Sequence, residues 1–206
     1  MGVRGAPPMS GFVEPVRLTG QRWVTLEPLT RDHVPEIEAA SADGDVGSLW
    51  FTAAPSPQSA AQWVDMRLGL QAPDSGLTFV VRNLDGTVVG SSSYLNVDAP
   101  NRRLEIGNTW YSASARRTGV NSETKLLMLG HAFDVLGCVA VEFRTHFFNF
   151  TSRTAIERLG AKLDGVLRSH QLLPDGTRRD TAVYSILDIE WPTVRRHLQF
   201  RLNRDG

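Results

Sequence analysis

The sequence predicts an α/β (α+β) fold: a mixed, mostly antiparallel twisted sheet of about seven strands with helices on both faces. Three observations predict it. Asp85-Gly86 joins two β-rich runs, and Pro174-Asp175-Gly176 joins two more, so both read as hairpin connections. The long helical pattern from Val120 to Leu136 separates the strand-like runs Arg103 to Tyr111 and Val139 to Phe147. A connection of that length makes those strands a right-handed parallel crossover. Finally, hydrophobic residues are 41% and charged residues 21% of 206, an ordinary globular composition with enough apolar material for one core. The expected organisation is a flexible N-terminal arm over 1–15, where Pro7, Pro8 and Pro15 oppose regular structure, and a single domain over 16–206.

The elements follow in order. Val16 to Leu18 and Trp23 to Leu26, separated by Thr19-Gly20, form a hairpin or bent first strand. Thr30 caps a short helix through Ile37, Ala39 and Ala40, kinked or split by Pro35. Residues 41–58 read as loop around the apolar knot Leu49, Trp50 and Phe51. Ser59 to Leu70 is a second helix, with Ala60, Trp63, Val64, Arg67 and Leu68 at helical spacing. Leu77 to Leu84 and Thr87 to Asn96 form the first clear hairpin. Arg103 to Tyr111 is the central strand, with a bulge expected at Gly107. After the long helix and the strand ending at Phe147, Thr151 to Leu159 is a helix closed by Gly160. Lys162 to Leu173 and Arg178 to Leu187 form the last hairpin, and Glu190 to Leu202 a terminal helix with Pro192 in its first turn.

Several functions are disfavoured at once. Lys plus Arg and Asp plus Glu are 22 each, a balance unlike that of a general nucleic-acid binder. Cys138 is the one cysteine, so no intrachain disulfide forms and the cytoplasm is the expected compartment. The five histidines are scattered without metal-ligand spacing, so no metal is expected. No apolar run is long enough to span a membrane. Met1 to Val16 lacks a signal-peptide core, and Ala6 breaks the myristoylation pattern that Gly2 would begin.

Ligands of such crossovers bind outside the carboxyl ends of the strands, where the following helix begins. That place holds Ser114-Ala115-Arg116-Arg117-Thr118-Gly119-Val120-Asn121. A helix N-terminus offers unpaired N–H groups and partial positive charge. Gly119 permits close backbone approach, and the two arginines add forked donors. Together they suit a pyrophosphate; a solvated basic loop is the alternative. Neither a Walker loop nor a dinucleotide fingerprint is present.

Three segments resemble the GNAT acetyltransferase superfamily, in particular its ribosomal-protein N-terminal acetyltransferase branch. Glu105-Ile106-Gly107-Asn108-Thr109-Trp110-Tyr111 is similar to that family's central strand. Arg116 to Asn121 is similar to its pyrophosphate loop, and Asn149 to Ala161 to its Asn-x-x-Ser helix and Leu-Gly-Ala turn. The resemblance runs from about residue 20 to 190, in order and spacing. Two positions depart from it: Arg117 replaces the first loop glycine and Asn121 the last small residue. Arg117 fits if its φ is negative.

The resemblance implies an acetyl-CoA-dependent N-acetyltransferase, acting by direct attack of a primary amine in a ternary complex. The acceptor is a protein N-terminus or a small-molecule amine. It implies contacts to the cosubstrate from Trp110, Tyr111, Arg116, Arg117, Thr118, Gly119, Val120, Asn121, Asn149 and Ser152. Glu105 becomes the candidate general base and Ser152 the candidate proton donor to the leaving thiolate, with Tyr184 and His146 as runners-up. Trp50 and Phe51 are placed at the acceptor pocket. A homodimer is an available state, and a non-catalytic CoA-binding sensor or interaction module is the alternative function. Each residue also has a plain structural role: Asn149 and Ser152 as helix caps, Glu105 paired with Arg103 or Arg144, aromatics as core, Cys138 as a small buried hydrophobe.

Overall fold

The computed structural model describes residues 11–44, 52, 54–71, 75–173 and 175–204. Trp50 and Phe51 lie outside them. The chain begins with β1 (Leu18–Thr19) and β2 (Val24–Pro28), then a 3-10 turn and α1 (Val34–Ala42). Pro35 thus falls in the first turn of α1, where its missing N–H costs nothing. After α2 (Ala60–Gly69) come β3 (Leu77–Asn83), β4 (Val88–Asp98) and β5 (Arg103–Tyr111). Then follow α3 (Val120–Gly130), β6 (Ala140–His146), α4 (Phe150–Leu159), β7 (Lys162–Leu172), β8 (Arg178–Leu187) and α5 (Trp191–Arg204).

These strands form one eight-stranded sheet in the order β1-β2-β3-β4-β5-β6-β8-β7. Only β5 and β6 run parallel; each other neighbouring pair is antiparallel. Burial on β3 explains why the sheet carries helices on both faces. Leu77, Phe79 and Val81 join a core with Met128 and Leu129 of α3, Leu159 of α4 and Leu198 of α5. Val80 points the other way, into a second cluster with Ile37 of α1 and Trp63 and Val64 of α2. Alternation along a strand puts successive side chains on opposite faces, and both faces here are apolar. Val13 is buried in the first core and Phe12 packs on it, so packed chain begins within the segment expected to be an arm.

Two local expectations need correction. The helix expected to run to Leu136 stops as α-helix at Gly130 and widens into a π turn over His131–Val135, closed by Leu136 N–H to the His131 carbonyl at 3.0 Å. The wider turn keeps Ala132 and Phe133 in the core. The bulge expected at Gly107 lies just beyond it. Ser93 pairs with Gly107 and Ser91 with Trp110, so Asn108 and Thr109 together oppose Ser92. Asn108 takes φ +48, a left-handed conformation that asparagine tolerates better than most residues.

Candidate active site

The parallel pair is the origin of the site. Strands β5 and β6 are in register only over Arg103–Glu105 against Ala140–Glu142. β5 continues to Tyr111 and β6 to His146, so beyond Glu105 the two strands part and leave a cleft. Each strand then turns into a helix: β5 through 112–119 into α3, β6 through 147–149 into α4. Two helix N-termini therefore stand at the same end of the split.

The loop before α3 is built to present backbone. Ser112 enters a 3-10 turn over Ala113–Ala115. Asp43 holds the outer side, its carbonyl accepting from Ala113 N–H at 2.8 Å and its carboxylate from Ser114 N–H at 3.0 Å. Thr118 Oγ1 donates to the Ala115 carbonyl at 2.6 Å and accepts from Val120 N–H at 3.2 Å. Among the described residues, the N–H groups of Arg117, Thr118, Gly119, Asn121 and Ser122 meet no acceptor. Those orphan donors, next to the exposed Arg116 and Arg117, suit an anion. Arg116 Nε is turned back to the Tyr111 carbonyl at 3.2 Å, while Arg117 makes no such bond. Gly119 is required by packing, because a Cβ there would run into the Trp23 indole.

Arg117 does not meet the condition of a negative φ: it stands at +61. The loop needs a left-handed residue here, which is the service a glycine gives freely. An arginine in that region costs about 1 kcal/mol, small enough for the surrounding bonds to impose the shape.

A buried carboxylate, that of Glu105, marks the point where the strands part. It is 7% exposed. Its Oε2 accepts from Asn96 Nδ2 at 2.7 Å and lies 3.7 Å from Arg144 Nε. Arg103 pairs instead with Glu142, at 2.6 Å. Burial pushes the Glu105 carboxyl up from its ordinary value, against the pull of Asn96 and Arg144. Gly107 makes room for it, since a Cβ there would lie 2.7 Å from Glu105 Oε1.

On the other side of the cleft, Asn149 caps α4, its Oδ1 accepting from Ser152 N–H at 3.0 Å. The Ser152 side chain is half-buried at the first turn. Tyr184 is less free: its hydroxyl accepts from Arg153 Nε at 3.0 Å and donates to Glu157 at 2.9 Å. His146 Nδ1 accepts from Phe148 N–H at 3.1 Å, and burial lowers the ring's pKa, so the neutral ring's own proton sits on Nε2. Cys138 is buried and its thiol is pushed up to about 11, the state of an inert core residue. Trp110 lies away from the loop, edge-to-face with Trp63 at 6.0 Å beneath α1 and α2, whereas Tyr111 packs on the α3 side. An open groove lined by Arg158, His197 and Arg201 lies at the far end of α4 from Asn149. No group of three His, Cys, Asp or Glu among the described residues could hold a metal ion. No described helix is long and apolar enough to cross a membrane.

Sequence reasoning missed Lys125 of α3. It is fully enclosed against the sheet, its Nζ donating to Ser92 Oγ at 2.8 Å and to Thr109 Oγ1 at 2.6 Å. Burial pulls its pKa down to about 7. A signal existed: Lys125, Met128, Leu129 and Ala132 share the i, i+3, i+4, i+7 stripe of a buried helix face. The folded state holds this proton less tightly than the unfolded chain, so its contribution to stability rises with pH from about 7 to 10.5 and is lost below. Lys125→Met removes the buried charge and leaves the two hydroxyls bonded to each other. We expect it to stabilise the protein by about 2 kcal/mol at neutral pH and to flatten that rise, measured by urea unfolding across pH.

The comparisons with known proteins agree with this geometry. The family described as acetyltransferase (GNAT) domain matches residues 24–162. The molecule is thus an acetyl-CoA-dependent transferase by class. The chain belongs to the GNAT acetyltransferase family. A Bacillus subtilis protein named "Putative ribosomal N-acetyltransferase YdaF" is 28% identical over 150 residues, 69% of this chain and 78% of that protein. A GCN5-related N-acetyltransferase from Brucella melitensis superposes with a TM-score of 0.83 at 31% identity, over 95% of this chain and 90% of that one. Mycobacterium smegmatis RimJ, solved with CoA-disulfide, shares the fold at a TM-score of 0.75 and 20% identity, over 91% and 95% of the two chains.

Proposed function

We propose that this protein transfers the acetyl group of acetyl-CoA to a primary amine by direct attack, with both substrates bound together. The observation that carries the reading is the split between β5 and β6, with two helix N-termini at its mouth and a buried carboxylate at its root. The orphan N–H groups of Arg117, Thr118, Gly119, Asn121 and Ser122 and the Arg117 guanidinium would hold the pyrophosphate. The acyl arm would run into the cleft past Asn149.

Glu105 would take the proton of the incoming ammonium, since only the neutral amine carries a lone pair. The amine nitrogen then attacks the thioester carbonyl carbon. Backbone N–H groups at the β5 bulge stabilise the oxyanion until the C–S bond breaks. Ser152 gives a proton to the departing thiolate and is restored by the second proton, which the acetylated nitrogen sheds, while Glu105 passes its own to solvent. No covalent enzyme intermediate is required. The naming of YdaF favours a protein N-terminus as acceptor, with small amines as the second class. Because Arg117 adopts the glycine-like φ, the loop keeps its shape despite the substitution. The departure at Arg117 therefore gives no support to a non-catalytic CoA-binding module.

The test is thiol release from acetyl-CoA, with ribosomal-protein N-terminal peptides and small amines assayed side by side. Release that depends on a peptide bearing a free α-amine supports the reading; no release with any amine contradicts it. Within the site, Arg117→Glu should weaken acetyl-CoA binding at least about tenfold in a calorimetric titration, as a carboxylate replaces a cation beside the pyrophosphate. Arg196→Glu, on the exposed side of α5, should change it little. Equal effects would mean the phosphates bind elsewhere.

A further inference from the structure

Lys125, Ser92 and Thr109 form a closed triangle, with Ser92 Oγ and Thr109 Oγ1 2.8 Å apart. Counting hydrogens fixes its direction. Below about pH 7 Lys125 is an ammonium, which donates and cannot accept, so it fills one lone pair on each hydroxyl. Ser92 is 0% exposed, and its proton has one acceptor among the described residues, Thr109 Oγ1. Thr109 then accepts twice, from Lys125 and from Ser92. Its own proton is left over, and Thr109 is the exposed member of the three. It stands on the bulge of β5, past the point where that strand has parted from β6. With Lys125 protonated, the network therefore turns a threonine into a one-way donor, polarised by a cation behind it.

We propose that the Thr109 hydroxyl donates a hydrogen bond to a carbonyl oxygen of the acyl arm of bound acetyl-CoA, with Lys125 and Ser92 holding it in that orientation. This rests on the reading that the β5–β6 cleft takes acetyl-CoA. Thr109 is the ligand-contacting residue; Lys125, which acts through it, is a positioning residue.

The experiment is calorimetric titration at about pH 6, where Lys125 is protonated, with acetyl-CoA and, separately, with adenosine 3′,5′-bisphosphate, the nucleotide end of CoA without its arm. Thr109→Val should weaken acetyl-CoA about tenfold and leave the bisphosphate unchanged. Thr109→Ser, which keeps the hydroxyl, should restore acetyl-CoA binding. Lys125→Met, which leaves the Thr109 hydroxyl in place but frees it to turn towards Ser92, should weaken acetyl-CoA by a smaller factor, and adding it to Thr109→Val should weaken binding no further, because both act through one hydrogen bond. Wild-type affinity in Thr109→Val overturns the proposal. So does an equal loss for both ligands, which would mean a general loosening of the site, or a loss that serine does not restore. A wild-type protein that binds neither compound overturns the acetyl-CoA reading itself, and this proposal with it.

Discussion

Glu105→Gln is expected to lower turnover by about 10²-fold or more, the usual span of general base catalysis. Glutamine keeps the shape and the bond from Asn96, so acetyl-CoA affinity should hardly change. The pH profile carries the sharper signature. A base works only when deprotonated, and burial raises the Glu105 pKa above the ordinary carboxylate value. The wild-type rate should therefore rise with pH through that raised value, on an acidic limb that Glu105→Gln removes. What remains is the limb belonging to the amine. Circular dichroism and a binding titration must first show that the variant is folded and loads acetyl-CoA. A folded variant with the wild-type rate and profile would take Glu105 out of the mechanism.

The largest effect on stability is expected from Glu123→Ala. Glu123 is 4% exposed, on the inner side of α3. Its Oε1 accepts from Gln21 N–H at 3.0 Å and Arg22 N–H at 3.1 Å. Its Oε2 accepts from Trp23 N–H at 2.6 Å and Val24 N–H at 2.8 Å. One carboxylate thus fastens the whole β1–β2 turn to the helix. Alanine leaves those donors without their acceptor. Water can reach the exposed Gln21 and Arg22, but Val24 is buried completely. Charge-assisted bonds and orphaned buried donors of this kind are worth about 1–3 kcal/mol each, so a loss of about 3 to 4 kcal/mol is expected in chemical denaturation. The turn also carries Trp23 over Gly119, so the variant should bind acetyl-CoA more weakly as well. A loss below about 1 kcal/mol would show that the turn is held by its strand pairing instead.

The fold was legible because local signals agreed with one another. Asp85-Gly86, Gly160 and the Asn149 cap each bounded an element that formed where expected. The candidate anion loop was legible for the same reason: its residues lie in one continuous stretch before a helix. What escaped were features made by residues far apart in the chain. Glu105 finds Asn96 across the β4–β5 turn, a partner that spacing does not name, and of the two arginines expected beside it Arg144 on β6 is the one that stands there, while Arg103 goes to Glu142. The Lys125 triangle joins α3, β4 and β5, and it exists because the bulge turns Thr109 to the helix side. The positive φ of Arg117 also escaped. Propensity argues against it, and the surrounding backbone imposes it. Trp50 and Phe51 fall outside the described residues, so the acceptor side of the site rests on Glu105 and its neighbours.

We propose that acetyl-CoA lies with its phosphates on the α3 N-terminus and its thioester in the cleft beyond Glu105. Calorimetric titration of the wild-type protein with acetyl-CoA tests it most directly. Saturable binding at one site per chain is the expected result. Stabilisation against unfolding by about 2.7 kcal/mol at a hundredfold excess over the dissociation constant is expected with it. No heat of binding and no shift in melting at millimolar acetyl-CoA would contradict it.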